Sequence, residues 1–122
     1  MEAKKWKDTA NNLFKNGKYT ESIDLYTKAI NSHPKPIYYT NRSSAYLKLE
    51  QFAYALDDAT QAVKMDKMYA KGYTKLGDAH MGLQKFSLAL ENYERARNID
   101  PSNITMASKI KKCKVRLEKG EF

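Results

Sequence analysis

The fold is decided by residues 36–69, which read PIYYTNRSSAYLKLEQFAYALDDATQAVKMDKMY. Within this stretch, aromatic and small residues stand at positions that recur 33 residues earlier and 34 residues later. The recurring sets are Trp6, Tyr39 and Tyr73; Tyr19, Phe52 and Phe86; Ala10, Ser43 and Gly77; Ser22, Ala55 and Ala89; and Ala29, Ala62 and Ala96. Coincident recurrence at this period is typical of a solenoid, in which each structural repeat covers the apolar face of the next.

The recurring small residues indicate where two antiparallel helices approach closely, because no bulky side chain stands between them. Turn signals separate the helices. Asn16-Gly17-Lys18 follows the first helix, and Pro34 and Pro101 follow the second helices of the first and third pairs. We therefore predict helices over residues 3–16, 19–32, 36–48, 52–65, 69–82, 86–98 and 103–119.

The predicted fold class is all-α, a right-handed α-solenoid of three helix hairpins plus a C-terminal capping helix. We expect one domain over residues 1–122, with repeats at about 3–35, 36–69 and 70–102. The helix predicted at 103–119 carries an apolar stripe, with lysines around the rest of its surface. The stripe consists of Met106, Ala107, Ile110, Cys113 and Leu117. It suits a cap on the apolar edge of the third hairpin.

The chain has a net charge of +8, and most of the excess lies on the last helix. Residues 109–119 carry the cations Lys109, Lys111, Lys112, Lys114, Arg116 and Lys119 against the single anion Glu118. A basic helix is usually a solvated face, and this one lacks the interleaved aromatic residues that stack on bases. Nucleic-acid binding is therefore an unfavoured third hypothesis, testable by a salt-sensitive shift with DNA or RNA.

The single cysteine, Cys113, excludes an internal disulfide and favours a reducing compartment. We expect a cytoplasmic location, with the nucleus as the alternative. No apolar run approaches the length of a membrane span, and no leader is evident. The sequence thus predicts a monomer that uses no cofactor, metal or membrane.

The sequence resembles tetratricopeptide repeat (TPR) domains over nearly its whole length, and more narrowly the carboxylate-clamp subclass of chaperone adaptors. The segments that carry this resemblance are 37–46 (IYYTNRSSAY), 55–59 (ALDDA) and 70–73 (AKGY). The chain is most similar to N-terminal domains of the serine/threonine protein phosphatase 5 family. The Hsp-organising (stress-inducible) co-chaperone family is next.

The resemblance implies a clamp on the first helices of the hairpins. Its residues would be Lys7, Asn11, Asn41, Lys71 and Lys75, with Lys15 and Lys48 extending the groove toward upstream glutamates. The implied ligand is the C-terminal tail of heat-shock protein 90 or heat-shock protein 70, which ends in Glu-Glu-Val-Asp. Many family members carry arginine where Lys75 stands, so here a bidentate fork is replaced by a point charge.

The clamp also follows from chemistry. Lys7 and Asn11 are four residues apart, as are Lys71 and Lys75, so each pair shares one helix face. First helices that line a concave surface would bring these faces together with Asn41. Ammonium groups and carboxamides then complement the two carboxylates of a terminal aspartate. Lysines spaced in this way can also form nothing more than a solvated face, and that alternative stays open.

Other candidate sites are weaker. Residues 77–80 (GDAH) resemble an element of metallophosphatases, but no companion motif exists and the repeat places them within a helix. We expect His80 to be packed, His33 to be exposed and Cys113 to be a buried thiol.

Arg42 stands where the third repeat has Leu76, and we predict an ion pair with an aspartate of the following helix, either Asp57 or Asp58.

The sequence therefore favours a non-catalytic adaptor that binds an acidic C-terminal peptide. The alternative is a regulatory, autoinhibitory TPR domain of a serine/threonine phosphatase whose catalytic domain lies outside this chain.

Overall fold

Seven α-helices and no strands make up residues 2–122, the part of the chain described by this computed structural model. The helices are α1 (Ala3–Lys15), α2 (Tyr19–Ser32), α3 (Pro36–Lys48), α4 (Phe52–Met65), α5 (Ala70–Gly82), α6 (Phe86–Ile99) and α7 (Thr105–Glu118). The all-α solenoid is thus confirmed. Within the same residues, no helix combines the length and apolar character needed to cross a membrane.

The predicted helix ends agree with the structure to within two residues. The largest difference is the start of α7, which was predicted at residue 103 and lies at Thr105. Asn103 Oδ1 accepts hydrogen bonds from the backbone N–H of Thr105, at 3.0 Å, and from its hydroxyl, at 2.7 Å. Asn103 is therefore a turn residue before the helix, because its side chain satisfies a backbone donor in the first turn.

The helices pack as antiparallel hairpins, α1 with α2, α3 with α4 and α5 with α6. Successive first helices also contact each other, α1 with α3 and α3 with α5. These helices consequently form the inner, concave side of the solenoid. The small residues lie where they were predicted, since Ala10, Ser43, Ala55 and Ala89 are completely buried between helices. At Gly77, even an added Cβ would lie 2.4 Å from the ring of Tyr93.

The turns inside the three hairpins share one backbone conformation. Gly17 has φ of 76°, and the equivalent residues Glu50 and Gln84 have φ of 57° and 60°. Glycine adopts this left-handed region freely, whereas other residues do so at a cost of about 1 kcal/mol. The short turn imposes the conformation in all three repeats, although glycine marks it only in the first.

The last helix covers the third hairpin, as predicted. Met106, Ile110 and Cys113 are buried against α5 and α6, and Leu117 is half-buried. The prediction for Ala107 was wrong, because this residue is exposed. The buried face of α7 runs through positions 106, 110 and 113, and residue 107 is turned about 100° away from residue 106. Cys113 is a buried thiol, as predicted, and burial raises its pKa.

Arg42 on α3 forms the predicted ion pair, and its partner is Asp58 on α4. The guanidinium donates to both carboxylate oxygens, at 2.7 and 2.8 Å, and also to Thr27 Oγ1 on α2 at 2.9 Å. Asp57 points to solvent. The hydrogen bond to Asp58 raises the pKa of Arg42, while burial raises that of Asp58 against the opposing effect of Arg42. The two hydrogen bonds that the guanidinium donates favour the ionised form of this carboxylate.

His80 occupies the position of Leu13 and Tyr46, and its Nδ1 is buried with no hydrogen-bond partner among residues 2–122. Burial lowers its pKa below the usual 6.5. The unfolded chain therefore takes up a proton at a pH where folded His80 does not, and stability should fall as pH decreases below about 6.5. His33 is exposed, as predicted.

His80→Leu should stabilise the fold by about 1 kcal/mol, because it removes an unpaired buried nitrogen. It should also reduce the loss of stability between pH 7.5 and 5.5. Urea unfolding at the two pH values measures both effects, and His33→Gln provides the exposed control. A His80→Leu chain that keeps the full pH dependence would show that another group causes it.

Candidate functional site

A cavity of about 660 Å³ opens on the inner side of the solenoid between α1, α3 and α5. Most of its polar lining comes from first helices, which face the same space in every hairpin. The lining residues are Asn11, Phe14, Lys15, Tyr26, Asn41, Ser44, Leu47, Lys48, Phe52, Lys71, Lys75 and Asp78. We call this cavity the groove.

Equivalent positions of the repeat supply the groove residues in rows. One row contains Asn11, Ser44 and Asp78, and a second contains Asn41 and Lys75. Because every repeat presents the same helix face, the backbone fixes where each row lies and the side chains fix its chemistry.

A third row contains Lys15 and Lys48, and it ends in the third repeat. The equivalent residue there is Gly82, where an added Cβ would lie 2.1 Å from the ring of Phe52. The groove therefore has lysines in this row on the first two repeats only.

Six of the seven predicted binding residues line the groove. They are Asn11, Asn41, Lys71, Lys75, Lys15 and Lys48. Lys7 does not line it. Its Nζ lies 3.0 Å from Asp8 Oδ1 on the adjacent residue, so its ammonium is engaged by a neighbour on the same helix. The role of all seven in binding stays a prediction.

Asn11 is held in one orientation by its neighbours. Its Oδ1 accepts a hydrogen bond from the hydroxyl of Tyr26 on α2 and another from Asn41 Nδ2, at 3.3 Å. The acceptor of the Asn11 amide is thereby used, and its N–H₂ group is left to donate elsewhere. Asn11 thus keeps both N–H donors, and Asn41 keeps one of its two after donating to Asn11.

Two of the groove lysines, Lys71 and Lys75, have lowered pKa values. Loss of hydration lowers the pKa of Lys71. It also lowers the pKa of Lys75, where the carboxylate of Asp78 opposes the effect and the charge of Lys71 adds to it. Neither lysine forms an ion pair within the described part of the chain, residues 2–122. An anion placed between them would offset their mutual repulsion and stabilise their charged forms.

The sequence reasoning missed three parts of the groove. Phe14, Leu47 and Phe52 give it an apolar wall, and their exposure could not be derived from the repeat. The repeat alone gives no sign that the Tyr26 hydroxyl orients Asn11. Asp78 was considered only within a metal motif. A constant spacing of 15 residues separates Tyr26 from Asn11 and Tyr93 from Asp78, and it would have revealed both contacts.

The arrangement is suited to binding. Its polar side chains are mainly ammonium and amide donors, which hydrogen-bond carboxylates well. Within residues 2–122, no group of three or more His, Cys, Asp or Glu side chains is placed to hold a metal ion.

Comparison with known proteins places the chain in a family. The tetratricopeptide repeat model matches residues 70–103. Serine/threonine-protein phosphatase 5 of Rattus norvegicus is 39% identical over 121 residues, covering 98% of this chain and 24% of that protein. The chain spans only 17% to 24% of the length of the first curated relatives it matches.

Two solved structures are similar along almost their entire length. The first TPR of Spaghetti (RPAP3), bound to the HSP90 peptide SRMEEVD, is 38% identical with a TM-score of 0.92, and the match covers 96% of this chain and 94% of that one. The second TPR domain of human RPAP3, in complex with the HSP70 peptide SGPTIEEVD, is 33% identical with a TM-score of 0.85 and coverages of 89% and 92%. This chain belongs to the tetratricopeptide-repeat family.

Proposed function

We propose that this domain is a non-catalytic adaptor whose groove binds the acidic C-terminal tail of heat-shock protein 90 or heat-shock protein 70. The observation that carries the proposal is the convergence of Asn11, Asn41, Lys71 and Lys75 on one cavity. A C-terminal aspartate carries an α-carboxylate and a β-carboxylate a few ångströms apart. Two ammonium groups and two amide groups give such an end a charged partner and a hydrogen-bond donor for each carboxylate.

The apolar wall supports the same class of ligand. A tail ending in Glu-Glu-Val-Asp places an apolar side chain beside its terminal carboxylates. Phe14, Leu47 and Phe52 offer a surface on which such a side chain can be buried. Lys15 lies one turn beyond Asn11 on α1 and Lys48 lies two turns beyond Asn41 on α3, where they can attract the upstream glutamates.

The similar structures also support the proposal. Both were solved with peptides that end in Glu-Glu-Val-Asp, one from HSP90 and one from HSP70. The affinity should be in the micromolar range, about 1–100 μM, because a short disordered peptide must be ordered on binding.

The test is a calorimetric titration with SRMEEVD, alongside the same peptide carrying a C-terminal amide. Amidation removes the α-carboxylate charge and should weaken binding about tenfold to a hundredfold, the loss expected for one charge-assisted hydrogen bond. A parallel titration with SGPTIEEVD compares the two chaperone tails. Equal affinity for the acid and the amide would disprove recognition of the terminal carboxylate.

A second candidate function rests on the similarity to phosphatase 5. In that case the domain would regulate a phosphatase catalytic domain in a longer parent protein, and occupation of the groove would release inhibition. Phosphatase activity of the full-length parent, measured with and without SRMEEVD, tests this. A parent protein with no phosphatase activity contradicts it.

A further inference from the structure

An acidic residue lies inside the basic groove. Among the described residues that line it, Asp78 is the only carboxylate. Its Oδ1 accepts a hydrogen bond from the hydroxyl of Tyr93 on α6, at 2.6 Å, and lies 2.7 Å from Nζ of Lys109 on α7. The two side chains of the ion pair are largely buried, with 18% of Asp78 and 34% of Lys109 exposed. This carboxylate is therefore held by side chains from two other helices, α6 and α7.

The position of Asp78 would allow its carboxylate to compete with an anionic ligand for Lys75. Asp78 follows Lys75 by three residues on α5, so the two side chains are neighbours on one helix face. An unrestrained carboxylate at this position would pair with the Lys75 ammonium and compete with the carboxylates of a ligand. In the structure Lys75 forms no ion pair with any of residues 2–122, whereas Asp78 is bound to Lys109.

We infer that Lys109 is a positioning residue of the groove, because it holds the Asp78 carboxylate away from Lys75 and so keeps Lys75 available to an anionic ligand. The capping helix then does more than cover the apolar edge of the third hairpin. It supplies the counter-ion that neutralises the one negative charge in the binding site. This inference rests on the proposed function, since it concerns the affinity of the groove for a dicarboxylate end.

The test is a four-protein comparison of SRMEEVD affinity by calorimetry. It uses the original chain, Lys109→Met, Asp78→Asn, and the double variant. Methionine keeps the length and apolar packing of the lysine stem. Lys109→Met should weaken binding about threefold to tenfold, because Asp78 is freed to pair with Lys75. Asp78→Asn should bind at least as well as the original chain, because Lys75 stays available and the Lys109 charge is no longer neutralised. The double variant should bind at least as well as the original chain.

Lys112→Met is the matched control. It removes the same charge from the same helix, and Lys112 is exposed with no ion pair among the described residues. It should change the affinity less than twofold. Circular dichroism of every variant checks that the helices remain.

Three results would overturn the inference. One is an equal loss of affinity in Lys109→Met and Lys112→Met, which would mean that net charge alone matters. Another is a double variant as weak as Lys109→Met, which would mean that Lys109 does not act through Asp78. The third is weaker binding by Asp78→Asn, which would mean that the Asp78 carboxylate itself favours the ligand. Failure of the original chain to bind SRMEEVD at all would instead contradict the proposed function.

Discussion

Lys71→Glu should abolish detectable binding of SRMEEVD, with a loss of affinity of about a hundredfold or more. Lys71 lies in the groove, close enough to Lys75 for their charges to repel each other. It forms no ion pair with residues 2–122. The substitution replaces an attraction for the peptide carboxylates with a repulsion, and each such charge contact near a protein surface is worth a few kcal/mol. The new glutamate would also stand four residues before Lys75, where it can pair with that ammonium.

Lys64→Glu is the control for this change. Lys64 is exposed on α4, a second helix, and does not line the groove. It reverses the same charge and should weaken binding only slightly, by an amount that disappears in high salt. Calorimetry measures both affinities, and circular dichroism confirms that both variants are helical. Equal losses in the two variants would show that the peptide responds to the overall charge of the domain.

Arg42→Leu should lower the free energy of unfolding by about 3 kcal/mol, which corresponds to a decrease in melting temperature of about 10 °C for a domain of this size. The physical reason is that the substitution leaves the buried Asp58 carboxylate without its charged partner. Asp58 is 6% exposed and would lose both hydrogen bonds from the guanidinium. Thr27 Oγ1 would lose a donor as well. The leucine itself should fit, because Leu76 is buried at the equivalent position of the third repeat.

The double variant Arg42→Leu/Asp58→Leu separates the two contributions. If the uncompensated charge of Asp58 causes the loss, removing that charge should restore much of the stability. Arg97→Leu breaks an exposed contact, at 3.9 Å from Glu94, and should change stability by less than about 0.5 kcal/mol. Chemical unfolding gives all three values. An Arg42→Leu protein as stable as the original would show that the buried pair contributes nothing to stability.

The periodic part of this molecule could be predicted from its sequence. Helix positions, the close contacts at Ala10 and Ala55 and the pairing of Arg42 with α4 follow from a 33- or 34-residue repeat, because each is repeated or lies within one hairpin. Features at single positions could not be predicted in this way. Glu50 and Gln84 adopt a left-handed turn without a glycine to signal it.

In the candidate site, too, the repeat predicts some features and leaves others unpredicted. Asn11 and Lys71 could be placed in one groove, since the repeat determines which helix face is concave. The contact between Asp78 and Lys109 joins the third hairpin to a helix outside the repeat, so no periodic pattern encodes it. Lys7 pairs with Asp8 instead of lining the groove. Which local partner a lysine contacts depends on side-chain rotamers, and the spacing of residues does not predict it.

The hydrogen bonds that Asn11 accepts from Tyr26 and Asn41 have a thermodynamic consequence. They join α1, α2 and α3 before any ligand arrives, so the Asn11 amide is preorganised and has little conformational entropy left to lose. The entropic cost of complex formation must then fall on the bound peptide and on the groove lysines, which form no ion pairs among residues 2–122. A peptide constrained in its bound shape should gain affinity, whereas restraining Asn11 further should not.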